Sequence, residues 1–311
     1  MNAAPALPLS FAVVAPTLNA GPRWADWLRA LAAQKTKPRR TLVIDSASDD
    51  DTASQAAAAG CELLHISRKD FDHGGTRQTA LEMLSDVDLI VFLTQDALLA
   101  DPDALRALLA VFSDPAVAAA YGRQLPRREA GPIERHVRAF NYPAADRVVS
   151  AADIPRLGLK AAFCSNSFAA YRRQALLAAG GFPARLILGE DMVAAGRLLL
   201  NGHKIAYTAQ AHAVHSHGYG LAEEFRRYFD IGVLHADQAW LLERFGSASG
   251  EGLRFVKSEI GYLAKTMPLR IPEALLRTVL KLSAYRLGRV ACFLPRPVGK
   301  WLSMHREYWN K

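Results

Sequence analysis

In the stretch Phe92-Leu93-Thr94-Gln95-Asp96 an apolar run ends on a carboxylate. Buried without a partner, such a group is costly, so Asp96 either faces water at a rim or has positive charge beside it. A divalent cation bridging a diphosphate would supply that charge, since magnesium commonly takes one or two carboxylates plus substrate phosphates. An aspartate just before a helix near Asp101 could equally serve as a cap or turn residue, and taken alone Asp96 leaves the two readings even. His215-Ser216-His217 adds weight to the first. In an extended segment alternate residues share a face, so both imidazoles could turn toward one site as metal ligands or phosphate donors, with His212 nearby.

Three further stretches have chemical potential. Phe71-Asp72-His73-Gly74-Gly75-Thr76-Arg77 is expected as a loop whose paired glycines permit close backbone approach and positive φ, with Arg77 placed at a helix start to meet a phosphate or a base edge. A plain glycine turn would explain Gly74 and Gly75 but not the clustering of His73, Thr76 and Arg77. Asp45, closing Leu42-Val43-Ile44-Asp45, would hydrogen-bond a ribose or a pyrimidine, although Asp-Ser at a strand end is also ordinary turn chemistry. Glu190 and Asp191 open a helix in which one carboxylate could act as general base toward a hydroxyl. Acids in a first helical turn are expected from the helix dipole alone, and spacing by itself favours that simpler reading.

These residues need elements to position them. The first half alternates strand-like and helix-like segments, as in a parallel sheet with crossover helices: strands at LSFAVVAPT, RTLVIDSAS, CELLHIS and DLIVFL, helices at WADWLRALAAQ, DDTASQAAAAG and TALEML. The helix ADPDALRALLAVF and a strand at VAAAYGRQL follow, and beyond residue 130 the pattern becomes mixed. A strand near AAFCSNSFAAY, a short helix RRQALLAAGGF, a helix from GEDMVAAGRLLLNG, a strand HKIAYTAQAHAVHSH and one helix or two in AEEFRRYFDIGVLHADQAWLLERFG complete it. In open parallel sheets ligands collect beyond the carboxyl ends of the strands. Thr17 and Asn19, Asp45, His73 to Arg77, and Asp96 each follow a successive strand, so one shared cleft is the economical expectation. The expected divisions are residues 1–9 as a flexible N-terminus, 10–245 as the sheet domain and 253–311 as a basic, mostly helical C-terminal region, separated by the Ser/Gly-rich GSASGEG.

Composition limits the function classes. At 311 residues, half of them hydrophobic, the chain can bury a substantial core. Three widely separated cysteines suit a reducing compartment, and neither a secretory signal nor a bilayer-spanning stretch is apparent, which leads to an expected cytosolic location. The net charge of +8 is concentrated at the end: residues 253–311 hold 12 Lys/Arg and 3 Asp/Glu. Because those cations alternate with Leu, Val, Tyr, Trp and Phe, an amphipathic surface helix fits better than a nucleic-acid-binding run. Two roles stay open for it: a peripheral anchor on the inner membrane face with Trp301, Tyr308 and Trp309 at the interface, or packing and solvation on the catalytic domain or in a homo-oligomer. The GxGxxG fingerprint and the Walker lysine loop are both absent after the first strand, which disfavours dehydrogenases and P-loop enzymes.

Taken in order, VVAPTLNAG, LVIDSASDD, TQD, GED and HSHGY resemble an inverting nucleotide-sugar glycosyltransferase of family two with the GT-A fold, an α/β architecture of a mostly parallel sheet with flanking helices. FDHGGTRQ, FCSNSFAAYRR and YFDIGVLH narrow the resemblance to bacterial rhamnosyltransferases that use dTDP-L-rhamnose, over about residues 10 to 240. The resemblance implies that Thr17, Asn19 and Asp45 hold the nucleoside and that His73, Gly74, Arg77, Gln95 and Asp96 complete the donor pocket. Asp96 matches the last acid of the family's DxD signature, whose first acid is Thr94 here. Asp191, with Glu190 beside it, matches the catalytic base, and His215 or His217 matches a contact to Mg2+ or Mn2+ or to the diphosphate. The implied partners are a dTDP-sugar donor and a saccharide or polyprenyl-linked acceptor of bacterial surface polysaccharide synthesis. A sugar-nucleotide nucleotidyltransferase would need a glycine- and lysine-rich loop where APTLNAGPRW stands, and a non-catalytic carbohydrate or nucleic-acid binding module would leave the acids and histidines at successive strand exits unexplained.

Overall fold

The computed structural model describes residues 9–246 and 250–310. The expected flexible N-terminus lies almost wholly outside these, as do residues 247–249 of the expected boundary loop. The described strands are β1 (Phe11–Thr17), β2 (Arg40–Asp45), β3 (Glu62–His65), β4 (Leu89–Leu93), β5 (Leu98–Leu99), β6 (Val117–Leu125), β7 (Arg147–Val149), β8 (Phe168–Arg172) and β9 (Lys204–Val214). They join one sheet in the order β3-β2-β1-β4-β8-β6-β9-β5, with β7 paired to β9. The first four strands are parallel, whereas β8 runs antiparallel between β4 and β6. The parallel character expected from the alternating first half therefore holds for that half, and the sheet is mixed beyond it.

Burial on both faces explains the unbroken apolar strands. All five residues of β4 are buried, and Ala12, Val14, Ile90 and Phe92 belong to one core layer while Phe11, Val13, Ala15 and Val91 belong to the layer on the opposite face. The strand order also prepares a cleft. The chain leaves β1 toward β2 and β3, then returns to place β4 on the other side of β1, so the exits of β1 and β4 diverge as at a topological switch point. The Gln95 side chain bridges these exits: Leu18 N donates to its Oε1 (2.8 Å) and its Nε2 donates to Leu18 O (3.1 Å).

Segment 71–77 departs from the expected loop. His73–Met83 is a helix, capped by Asp72, whose Oδ1 accepts from Gly75 N (2.6 Å), so Gly74 and Gly75 take helical conformations instead of positive φ. Close approach is what Gly74 provides: a Cβ there would fall 1.7 Å from Pro183 O. The helix can consequently lie against the loop that leads into Glu190–Leu200.

The C-terminal region is helical over Glu251–Thr266, Ile271–Arg289 and Arg296–Leu302, and it packs on the sheet domain. The segment AEEFRRYFDIGVLHADQAWLLERF forms two helices, Leu221–Asp237 and Ala239–Phe245. The first of these crosses Ile271–Arg289 at two glycines; a Cβ on Gly232 would lie 2.3 Å from Tyr285 O and one on Gly288 2.0 Å from Phe229 O. Charged groups close the same junction, with Glu224 accepting from Arg277 (2.8 Å) and pairing with Lys281 (2.9 Å). Buried Asp230 then receives the final segment through the backbone N–H groups of Met304 (2.9 Å) and His305 (3.1 Å).

Candidate active site

One side of the cleft is built from the exits of β1 and β2. Asp45 is buried at the end of β2, where its carboxylate accepts from Ser48 N (3.0 Å), Ser48 Oγ (2.6 Å) and Thr17 Oγ1 (3.2 Å). Asn19 N donates to Ser48 Oγ (2.8 Å), and Asp49 N donates to Asn19 Oδ1 (2.8 Å). Asn19 (φ 46°) and Ala47 (φ 58°) are two of the three non-glycine residues with positive φ among the described residues. A left-handed alanine costs about 1–2 kcal/mol, and such strain clusters where the surrounding structure fixes a functional loop. Thr17, Asn19, Asp45 and Gln95 thus converge as expected, and Ser48 is a member that the sequence gave no reason to single out.

Asp96, His215 and His217 form the second cluster. The Nε2 atoms of His215 and His217 each stand 3.3 Å from Asp96 Oδ2 and 3.1 Å from one another. Thr94, in place of the first acid of the signature, donates its hydroxyl to Asp96 Oδ1 (2.7 Å). The His215 tautomer follows from its partner. Arg138 can only donate, so its contact to Gln124 Oε1 (2.5 Å) fixes that atom as oxygen, and the His215 Nδ1 at 3.0 Å must carry a proton to donate to it. With that proton on Nδ1, Nε2 is the His215 atom that faces Asp96.

Cis ligands held about 2.0–2.3 Å from one cation stand roughly 3 Å apart, so two imidazole nitrogens and a carboxylate oxygen at these separations fit one face of an octahedral divalent-cation site. Burial opposes ionisation of Asp96, but hydrogen bonds from His215 and Thr94 outweigh it and hold its carboxyl below the usual range. Burial, followed by the neighbouring His215, pushes His217 down to about 4 and keeps it neutral at physiological pH, as a ligand must be.

Strand alternation is not what brings the two histidines together. β9 ends at Val214, so His215 and His217 belong to the exit segment. Between Gly122 and Arg123 of β6 the register on β9 jumps from Thr208 to His212, an irregularity that re-aims the end of β9 before it reaches the site.

The third cluster surrounds the helix Glu190–Leu200, which starts after Gly189 in the left-handed region (φ 78°). Glu190 is buried and pairs with buried Arg77 (3.2 Å), while Asn166 Nδ2 donates to the same Oε1 (2.9 Å). Arg77 also donates to His73 O (2.8 Å). It therefore faces Glu190 from inside the protein rather than presenting an open guanidinium. Asp191 is only partly covered, and its carboxylate accepts from Asn166 N (3.1 Å) and Met192 N (2.8 Å). Burial, then the adjacent Glu190 charge, raises the Asp191 proton affinity well above the ordinary carboxylate range. Burial would raise Glu190 too, but Arg77 and His73 overcome it and keep Glu190 ionised. The proton affinities of two adjacent carboxylates are thus driven apart, that of Glu190 downward and that of Asp191 upward.

One turn connects the second and third clusters. Ser165 Oγ accepts from Gln124 Nε2 (2.9 Å), Asn166 holds both Glu190 and Asp191, and Ser167 O accepts from Thr94 N (3.2 Å). Asn166 is fixed in turn by Tyr171, whose hydroxyl donates to Asn166 Oδ1 (2.8 Å). Gln124, Arg138, Ser165 and Asn166 act here through tertiary contacts, and only the polar Cys-Ser-Asn-Ser interruption of an apolar strand marked any of them in the sequence. His305 was equally hidden: it meets His73 edge-to-face at 5.0 Å, so the C-terminal segment forms part of the wall near Glu190.

A mixed sheet whose strand exits gather a buried carboxylate, an Asp-His-His group at metal-ligand spacing and a carboxylate of raised proton affinity suits glycosyltransferase chemistry. The chain belongs to the glycosyltransferase like family 2, whose model matches residues 8–230. It is 47% identical over 303 residues to the O-antigen chain rhamnosyltransferase RfbN of Salmonella typhimurium, covering 97% of this chain and 96% of that one. The O-antigen chain rhamnosyltransferase WbaN of Salmonella anatum is 47% identical over 302 residues with the same coverage. Among solved structures, the mannosyltransferase PcManGT of Pyrobaculum calidifontis, in complex with GDP-Man and Mn2+, shares the fold with a TM-score of 0.58 at 21% identity, over 97% of this chain and 86% of that one. The Staphylococcus aureus TarS fragment 1–349 in complex with UDP-GlcNAc aligns with a TM-score of 0.52 at 17% identity, over 91% of each chain.

Proposed function

We propose that this glycosyltransferase transfers L-rhamnose from dTDP-β-L-rhamnose to a hydroxyl of a saccharide or lipid-linked acceptor in O-antigen synthesis, with inversion at the anomeric carbon. The rhamnosyl assignment follows the two relatives named above, which align over nearly the whole chain. The observation that carries the mechanism is the placement of Asp191 and the Asp96/His215/His217 triad on either side of the Ser165–Ser167 turn.

Asp45, Thr17 and Asn19 hold the nucleoside, and the Leu18–Gln95 bridge sets the depth at which the diphosphate enters. Asp96, His215 and His217 would hold Mg2+ or Mn2+, which supplies compensation for the negative charge that develops on the departing diphosphate. Arg127 and Arg138 add fixed positive charge beside His217. Asp191 takes the proton of the acceptor hydroxyl as that oxygen bonds to the anomeric carbon and the carbon–phosphate oxygen bond breaks. Because Arg77 keeps Glu190 anionic, the Asp191 proton affinity stays high enough for the transfer. A single displacement turns the β-linked donor into an α-rhamnoside and forms no sugar–enzyme bond.

The test is a panel of dTDP-, UDP- and GDP-sugars, read by thermal stabilisation with Mn2+ and by NMR of the transfer product. Strongest stabilisation by dTDP-rhamnose and an α-linked product are expected. Retained configuration, a trapped glycosyl-enzyme, or stronger stabilisation by UDP- or GDP-sugars would overturn the proposal.

A further inference from the structure

The helix Ile271–Arg289 is apolar on the side that faces away from the protein. Its inner face is taken up by Ala274, Lys281, Ala284 and Gly288, which pack toward the Leu221–Asp237 helix or its charged network. Leu275, Leu276, Val279 and Leu282 recur at helical spacing on the opposite face, and all four are exposed, Val279 by 61%. At one end of the helix Leu269 is 91% exposed and at the other Phe293 is 84% exposed. Trp301, 66% exposed, extends the apolar surface to a groove of about 380 Å³ lined by Leu221, Phe225, Arg226, Leu280 and Leu302. Scattered single apolar residues on a surface need no explanation, but a full helix face continued by such a groove does.

Charge decides what covers this face. Lys265, Arg270, Arg286, Arg289, Arg296 and Arg306 are exposed around it. Between Gly261 and Arg306 the sequence holds one carboxylate, Glu273, and that is bound by Arg270 and Arg277. A second copy of the chain would bring like charge against like charge. An anionic lipid surface instead complements both features: exposed Leu, Val, Phe and Trp enter the headgroup boundary while Arg and Lys meet lipid phosphates.

We infer that the outer face of the Ile271–Arg289 helix, with Leu269, Phe293 and Trp301, docks the enzyme on an anionic bilayer surface. Among the described residues no helix is long and apolar enough to cross a membrane, so the contact is peripheral. The groove starts at Leu221, four residues beyond His217, so docking brings the bilayer to the flank of the catalytic cleft, where a lipid-linked acceptor would emerge. The docking surface shares no residue with the donor pocket, so its test is independent of donor identity.

The experiment is sedimentation of the full chain with vesicles of phosphatidylethanolamine and phosphatidylglycerol, compared with pure phosphatidylcholine vesicles, together with analytical ultracentrifugation without lipid. Binding to the anionic vesicles at least tenfold tighter than to phosphatidylcholine, and weakened by salt, is expected. Leu276→Glu combined with Val279→Glu should reduce vesicle binding at least tenfold while dTDP-sugar-induced thermal stabilisation is kept. Arg286→Glu combined with Arg296→Glu should lower binding and flatten its salt dependence. Failure of the wild-type chain to bind anionic vesicles, equal binding by the wild-type chain and the Leu276/Val279 variant, or a lipid-free dimer that the same variant splits without any change in vesicle binding would each overturn the inference.

Discussion

Replacing Asp191 with Asn probes the part of the mechanism that depends most on local geometry. The carboxylate accepts from two backbone N–H groups, Asn166 at 3.1 Å and Met192 at 2.8 Å, on its two different oxygens. An asparagine can accept on one side only and turns an NH2 toward the other donor, so one N–H loses its partner at about 1–3 kcal/mol. Relief of the adjacent Glu190 repulsion offsets part of that loss, and the protein should remain folded. The catalytic cost is larger. An amide cannot take the acceptor proton, and removal of a general base lowers turnover about 10²- to 10⁴-fold. Because Asp45 and Asp96 are untouched, the donor dissociation constant should change by less than about threefold, roughly 0.65 kcal/mol. The assay is dTDP release under saturating donor and acceptor, with donor affinity measured separately by calorimetry.

The pH profile supplies the decisive readout. A base must be deprotonated, so wild-type kcat/KM should fall as pH drops through the Asp191 pKa of the free enzyme, which burial and Glu190 raise above the ordinary carboxylate range. Neutralising Glu190 as Gln removes the repulsion that helps raise that pKa, so the acid limb should move to lower pH. That variant also leaves buried Arg77 unpaired, at a cost of about 3–5 kcal/mol, so its profile is read below its unfolding temperature. The reasoning is refuted if Asp191→Asn keeps turnover within tenfold of wild type, or if the acid limb lies at an ordinary carboxylate pKa and does not move in Glu190→Gln.

Two further outcomes test the supports of the site. Gln124→Leu removes the acceptor that fixes the His215 tautomer and should weaken Mn2+ binding about 10- to 100-fold in calorimetric titration with dTDP present, and Asp96→Asn, which removes a ligand charge, should weaken it at least as much. Unchanged Mn2+ affinity in both variants would remove the triad from metal binding. Gly74→Ala would drive a methyl group to 1.7 Å from Pro183 O and should cost about 1–3 kcal/mol, lowering the melting temperature by several degrees, whereas Gly75→Ala, whose nearest atom is Asp72 Oδ1 at 3.1 Å, should cost less. Equal melting temperatures for the two would dismiss the close-approach account of Gly74.

Much of the scaffold was legible along the chain. Buried parallel strands such as Phe11–Thr17 and Leu89–Leu93 are continuous apolar runs, and the polar residues ending them marked the cleft, because a residue leaving a two-sided core must change character there. Two adjacent glycines make segment 71–77 read as a loop although the helix starts at His73, and the reason for Gly74 lies over a hundred residues away at Pro183. Glu190 and Asp191 could not be told from ordinary first-turn acids until Arg77 and Asn166 were in place around them.

The sequence by itself determined the residue types, the local periodicities and the charge imbalance of residues 253–311, because these are properties of composition and spacing. The tertiary structure alone decided that Asp96 meets His215 and His217, that Gln124 and Arg138 fix the His215 tautomer, and that one apolar face of the Ile271–Arg289 helix points outward while the other is covered. Each of these depends on groups distant in the chain coming within a few ångströms, and hydrogen bonding and electrostatic coupling act over those few ångströms regardless of sequence separation.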